Sequence, residues 1–316
     1  MKSSLYPIKN AAPAELKIET LEHAFVTRSM LAGTIRGVSP FALPLPPDSP
    51  RRKEFNKVYF LSFLKNGVQR LPDEDLYFVF NLWGTGYHHF LTEIAIKFPL
   101  FERQLRAGQI LLPPDSPPFV RDFLKLTGFE NLIFMKRNGY AKRLKIITNP
   151  ISGFFDRNHL LKLQEFVFKR TGFAKNVGFD KIYISRRNAR ARKVLNEDEL
   201  IDVLRKKDFQ CLDADKMSLA EQINIFRQCR RLISIHGAAL TNAVFMPENS
   251  RVYELYPKQA TEDSFNLCYS RLGAALRQRH EYIFCDRENQ STSPMLDTDN
   301  IRVDVDEVIK LVSRND

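Results

Sequence analysis

Cysteine is scarce in this chain. Its four cysteines, Cys211, Cys229, Cys268 and Cys285, are spread through 316 residues, and none forms a CxxC pair. That spacing argues against a structural zinc site, and the number is too small for a disulfide scaffold, so reduced core thiols are expected. Long apolar runs are missing too: no stretch approaches the roughly eighteen residues that a membrane span needs. Met1-Lys2-Ser3-Ser4-Leu5 is not followed by an apolar segment. The expectation is a chain without a secretory leader, hence cytoplasmic. No short-period repeat and no low-complexity tract interrupts the pattern. Acidic residues are in deficit, 37 against 48 Lys and Arg, for a net charge of +11. Such a surface favours anionic partners: nucleic acid, acidic lipid or phosphorylated small molecules. Charge alone does not choose among them, and many basic surfaces have no such partner.

Aromatic residues are abundant. Twenty-five Phe and ten Tyr supply two cores, which matches two domains for this length. Up to about residue 70 the pattern is hard to read, and the proline-rich 38–53 segment, ending in Arg51-Arg52-Lys53, reads as an extended loop. Leu76-Tyr77-Phe78-Val79-Phe80 reads as a buried strand, 81–86 as a turn, and 89–106 as a helix kinked at Pro99. Strands at 109–112, 131–134 and 144–147 alternate with helices near 118–127 and 158–171. This alternation predicts a mainly parallel sheet. The second half is clearer. Strands at 181–185, 209–212, 232–235 and 252–255 alternate with helices that open at Asn196 and Ser218, each with an acid three residues on, and at Ala239. This is the signature of a doubly wound, Rossmann-like nucleotide-binding domain. The Gly172, Asn176, Gly178 cluster sets the expected boundary: 1–174 for the first domain and 175–316 for the second.

Ligands of open α/β sheets bind beyond the carboxyl ends of strands. After Ile235 come His236, Gly237, Ala238, Ala239, Leu240, Thr241 and Asn242. Gly237 allows a sharp turn and close backbone approach. The helix that follows offers unpaired N–H groups suited to a diphosphate, with Thr241 and Asn242 in its first turn. A plain strand-turn-helix with a satisfied histidine is the competing reading. After Ser185 stand Arg186 and Arg187, then Arg190, Arg192 and Lys193. Arginine grips phosphate through two parallel donors. Arg186, nearest the strand end, is the favoured donor-phosphate ligand, whereas Arg190 and Lys193 read better as a solvated loop. Glu254 ends the last strand and could accept from ribose hydroxyls or pair with a base. In the first half, His89 and Glu93 share a helix face, and either could deprotonate an acceptor hydroxyl. A third metal ligand is not evident nearby. Gly84 and Gly86 lack the third glycine of the dinucleotide fingerprint.

These residues carry a resemblance. Lys181-Ile182-Tyr183-Ile184-Ser185-Arg186-Arg187, Arg192, Asn196-Glu197, Ser218-x-x-Glu221-Gln222, the 236–242 run with Phe245 and Pro247, and Glu254-Leu255 together resemble glycosyltransferase family 61. Tyr87-x-His89-Phe90-Leu91-x-Glu93 resembles that family's upstream motif, with Phe90 where tryptophan is usual and Ala239 where glycine is common. The match covers about 76–256. The resemblance implies a GT-B fold, two Rossmann-like domains facing across a cleft. It also implies an inverting, metal-independent transfer from a nucleotide sugar, often a UDP-sugar. The second domain would hold the nucleotide and the first the acceptor. Arg186, Arg187, Arg192, His236, Gly237, Ala238, Leu240, Thr241, Asn242 and Glu254 become the donor-binding set, and His89 or Glu93 the base. No cofactor and no metal are expected beyond the nucleotide-sugar co-substrate. The acceptor would be a glycan or glycolipid of bacterial capsule or other surface polysaccharide. Peripheral contact with the inner face of a membrane is open. Two rival readings stand beside this one: a nucleic-acid binder using Arg51-Arg52-Lys53 and the 186–193 arginines, and an inactive, enzyme-like partner subunit. The basic runs have few interleaved aromatics, so no nucleic acid is expected.

Overall fold

The computed structural model describes residues 15–46, 49–172, 179–258, 266–288 and 299–313. Among them the chain divides into two compact units, one ending at Arg170 and the other beginning at Thr171. Asn176, Gly178 and the boundary expected between 174 and 175 lie outside the described residues.

The strands of the first unit are β1 (Ile18–Val26), β2 (Ala32–Thr34), β3 (Gly37–Val38), β4 (Val68–Arg70), β5 (Leu76–Phe78), β6 (Gln109–Leu112), β7 (Leu132–Phe134) and β8 (Asn138–Ile147). They form one sheet in the order β3-β2-β1-β8-β5-β6-β7, with β4 also pairing β8. Pairing is parallel among β4, β5, β6, β7 and β8. It is antiparallel along the β1–β8 ladder, from Ile18 opposite Ile147 to Val26 opposite Gly139, and through β2 and β3. The mainly parallel expectation therefore holds only for the later strands. The antiparallel part comes from the first seventy residues, where sequence patterning had suggested no elements. Helix α1 (Arg52–Asn66) is a further element there, and it begins within the last two residues of the segment read as a loop. It buries Phe55 and Tyr59 against Leu31 and Leu43.

The helix expected over 89–106 is broken into pieces. Tyr87–His89 is α2, Phe90–Ala95 is π-helical, Lys97–Leu100 is α3 and Glu102–Ala107 is α4. Pro99 has no N–H, so the Ala95 carbonyl lacks its i+4 donor. The widened π turn ends at that carbonyl, and a second break follows at Phe101 (φ −124°). Helix α5 (Pro118–Thr127) matches its expected span and stops at Gly128, which is left-handed at φ 68°. Helix α6 (Arg157–Thr171) also matches.

The second unit contains β9 (Lys181–Ile184), α7 (Glu197–Arg205), β10 (Gln210–Leu212), α8 (Leu219–Phe226), β11 (Arg231–Ile235), β12 (Arg251–Pro257), α9 (Cys268–Ala275), β13 (Arg279–Arg287), β14 (Ile301–Arg302) and α10 (Val305–Ser313). Its sheet runs β10-β9-β11-β12-β13-β14. Every pair is parallel except β13 with β14. The first five strands thus have a doubly wound order, 2-1-3-4-5. From β9 the chain moves outward to β10, then crosses to β11 on the other side. The topological switch point lies between β9 and β11, and ligand crevices form there at the carboxyl ends.

Tyr183, Ile233, Tyr253, Leu255 and Ile283 of the sheet pack with Leu200 and Leu204 of α7 and Val305, Val308 and Val312 of α10. At Ser218 the expected capping box forms in both directions. At Asn196 it does not: the side chain makes no cap and instead bonds the Val303 N–H and carbonyl, tying α7 to the segment before α10. Ala238–Phe245, expected as an α-helix, is a 3-10 helix. Among the described residues no helix is long and apolar enough to cross a membrane.

Candidate functional site

At the switch point of the second unit, Arg186 lies against the turn after β11. A Cβ placed on Gly237 would stand 3.0 Å from Arg186 Nη1 and 3.4 Å from its Cζ. Gly237 itself has φ 163° and ψ 169°, which is extended. The glycine is therefore needed for close approach by a guanidinium, not for a sharp turn. Arg192 joins from the same loop, its Nη1 donating to the His236 carbonyl at 3.4 Å. Its own backbone is left-handed, φ 58°, which costs a non-glycine residue about 1 kcal/mol or more. The two guanidiniums repel each other. Burial first, and then the charge of Arg192, lowers the pKa of Arg186. The Arg186 Nε is buried without a hydrogen-bond partner. The first internal bond of the 3-10 helix runs from the Leu240 N–H to the Gly237 carbonyl at 3.0 Å, so the N–H groups of Ala238 and Ala239 stand outside its ladder. Two partly desolvated cations beside a turn with N–H groups outside the helical ladder are the kind of groups that grip an anion with several oxygens.

The rest of the expected donor set is not on that surface. The His236 ring is buried, with Nδ1 donating to Glu254 and Tyr256 and Tyr269 packed edge-on against it. Glu254 is fully buried, and its second oxygen accepts from His280 Nε2 at 2.8 Å. Burial pushes this carboxyl up, but the hydrogen bonds and charges of the two histidines outweigh it, so its pKa is lowered. With both oxygens engaged inside the core, Glu254 anchors His236 and does not present an oxygen to a ribose. Leu240, Thr241 and Asn242 are wholly buried. Thr241 bonds the Tyr269 side chain, and Asn242 donates to Gln222 at 2.9 Å, fastening the turn to α8. Arg187 turns away to Glu197 and Asp198 at the start of α7. The structure thus brings Arg186, Arg192, Gly237, Ala238 and the His236 backbone together. It places the other expected residues behind or beside them.

A second cluster lies in the first unit, where the chain leaves β5 and β8. His89 Nδ1 and Glu93 Oε1 are 2.7 Å apart. Glu93 is buried, whereas the His89 side chain keeps 31% of its exposure. A carboxylate only accepts, so Nδ1 carries the proton and Nε2 is left as the basic nitrogen. The other Glu93 oxygen accepts from Asn81 at 2.8 Å. Asn81 also donates to Asn149 at 3.1 Å. Beneath them lies Lys97, fully buried, its Nζ donating to the carbonyls of Val79 and Ile147 and to Asn149 Oδ1 at 2.6, 3.1 and 2.8 Å. Burial pulls its pKa down to about 7, against the opposing attraction of Glu93. Trp83 tilts over His89 with ring centroids 5.4 Å apart, and the Arg51 guanidinium lies 5.7 Å from the centre of the Trp83 ring. Asn81, Trp83, Lys97 and Asn149 were missed in the sequence. The one available signal was His89, Glu93 and Lys97 at successive intervals of four.

The basic run proposed for nucleic acid is largely occupied. Arg52 donates to the carbonyls of Pro46 and Leu45, and Arg51 stacks on Phe55 and Trp83. Among the described residues no group of three His, Cys, Asp or Glu side chains is placed to hold a metal ion.

Comparison with known proteins agrees with the arrangement of motifs. Residues 87–253 match the family model Glycosyltransferase 61. The EGF domain-specific O-linked N-acetylglucosamine transferase of Drosophila melanogaster is 29% identical over 203 residues, covering 54% of this chain and 38% of that protein. Protein O-linked-mannose beta-1,4-N-acetylglucosaminyltransferase 2 of Bos taurus is 29% identical over 189 residues, 58% of this chain and 31% of that protein. The Tetraodon nigroviridis protein of the same name is 26% identical over 235 residues, 70% and 38% respectively. This chain spans well under half the length of these relatives. The matched region holds both the His89–Glu93 pair and the Arg186–Gly237 turn, and over that region the chain belongs to glycosyltransferase family 61.

Proposed function

We propose that this protein transfers a sugar from a nucleotide-diphosphate donor, first of all a UDP-sugar, to a hydroxyl acceptor, with inversion and without a metal. The reading takes the two α/β units as the halves of a GT-B enzyme, the first for acceptor and the second for donor. Its main support is the Arg186 guanidinium held against Gly237 beside Arg192, at the switch point of a doubly wound sheet.

His89 is the base in this reading, and Glu93 fixes its tautomer. His89 Nε2 takes the acceptor hydroxyl proton as that oxygen attacks the anomeric carbon. The bond from that carbon to the diphosphate oxygen breaks, and the leaving oxygen keeps the electron pair. Arg186, Arg192 and the N–H groups of Ala238 and Ala239 stabilise the departing charge, the task a metal performs in other transferases. The relatives' names make N-acetylglucosamine the first sugar to test. A surface polysaccharide or glycolipid acceptor rests on the sequence resemblance, and a protein-borne acceptor on those names.

The test is thermal unfolding with nucleoside diphosphates in chelator, followed by hydrolysis of the matching nucleotide sugars. UDP should raise Tm without metal, and Arg186→Ala should abolish the rise while leaving the unliganded Tm within a few degrees. An unchanged rise in the variant would overturn the donor site.

A further inference from the structure

Helix α1 has an outward face unlike that of an ordinary surface helix. Its inner arc is buried through Phe55 and Tyr59. At 3.6 residues per turn, Phe60, Lys53, Leu64, Lys57 and Leu61 fall side by side within about a third of the circumference on the opposite arc. Leu64 is 82% exposed, Phe60 46% and Leu61 44%. Lysine and bulky apolar side chains therefore alternate on one open face. The tip of the β2–β3 hairpin continues it. Val38 N–H bonds Asn56 Oδ1 at 2.8 Å and Tyr59 O–H bonds the Thr34 carbonyl at 3.2 Å, so the tip is fastened to α1. That tip carries Ile35, 79% exposed, beside exposed Arg36.

We propose that α1 and this hairpin tip form a docking face for an anionic bilayer surface. Composition selects this occupant. Protein interfaces are depleted in lysine. A two-fold contact with a second copy would bury Lys53 and Lys57 from both chains, with Glu54 as the one acid on the helix to pair them. A lipid surface suits both residue classes: the apolar tips enter the acyl boundary, while the lysine stems lie along it with ammonium groups at phosphate level. Lys53, Lys57, Lys65 and Arg36 face outward with Glu54 as the one acid among them. The whole chain, at +11, adds long-range attraction. Docking here would hold the protein where lipid-borne acceptors lie. The inference does not depend on the donor site.

The experiment is co-sedimentation of the full chain with two vesicle types, phosphatidylcholine alone and phosphatidylcholine with phosphatidylglycerol. Binding should occur only with the anionic lipid and weaken with salt. Lys53→Ala and Lys57→Ala should each weaken it about fivefold, and Leu61→Ser with Leu64→Ser by about tenfold or more. All these side chains are exposed, so the UDP-free Tm should hold, and the lysine variants test the face even if the serine pair folds poorly. Equal binding to both vesicles, no binding to either, or unchanged binding by the variants overturns the proposal. So does a wild-type dimer that the serine pair makes monomeric, because a second copy would then own the face.

Discussion

Replacing Gly237 by alanine isolates the contact on which the donor site rests. Its extended backbone is open to any residue, so the substitution carries no conformational penalty and should stabilise the chain by about 0.4–1 kcal/mol through the unfolded state. The new methyl would lie 3.0 Å from Arg186 Nη1, 3.4 Å from Cζ and 3.7 Å from Cδ. The closest of these is tighter than ordinary van der Waals contact, so the guanidinium must retreat by a few tenths of an ångström. The end of an arginine can move that far cheaply, and the fold should not notice. A bidentate grip on phosphate will notice, because both N–H groups must point along fixed directions. Losing one charge-assisted bond of about 1.5–3 kcal/mol weakens binding by about 10- to 100-fold. Calorimetric titration with UDP measures that loss, and thermal unfolding checks the fold. The decisive comparison is made in the Arg186→Ala background, where Gly237→Ala should add nothing, since the two changes act on one contact. An additive loss would mean that the methyl strikes the nucleotide directly. Wild-type affinity in the single variant would mean that Arg186 grips nothing there.

Other outcomes follow from the buried groups. Glu93→Gln keeps the shape but removes the charge that fixes the His89 tautomer, so kcat should fall by about 10²–10⁴-fold with UDP affinity unchanged; an equal fall in both would point to misfolding. Lys97 titrates at about 7 in the fold against an ordinary 10.5. Between those values the unfolded chain holds the extra proton, so stability should rise with pH through that window and level off below it. Lys97→Met should flatten the rise, as seen in denaturant midpoints measured across it; a slope that survives would assign it to another group. Ser218→Ala should cost about 0.5–2 kcal/mol through its capping box. Asn196→Ala should act instead by loosening α10, which amide exchange in 305–313 would detect.

The strands of the second unit were readable because each is a short apolar run bounded by turn residues and joined by helices of clear period. Arg186 and the 236–238 turn followed from position at strand ends. The layering of that turn did not. His236, Thr241, Asn242 and Glu254 look like ligand residues because they are polar, and only the packing of Tyr256, Tyr269, Gln222 and His280 around them assigns them to the interior. In the first unit, His89 and Glu93 were found as a pair with their roles unassigned. Burial separates them, leaving the acid inside and the imidazole partly open. Lys97 was hidden because a lysine four residues after a glutamate normally reads as a surface pair. Helix α1 escaped notice for a related reason: apolar residues on both its faces blur the 3.6-residue period.

The paired arginines over the 236–238 turn carry a practical consequence. Positive charge on two neighbouring guanidiniums, offset only in part by Asp215, will attract whatever small oxyanion the buffer supplies. Phosphate or sulfate should therefore make the protein hardier on the bench and at the same time mask its affinity for a sugar nucleotide. Samples kept in amine buffers with chloride should give the truer measure of donor affinity.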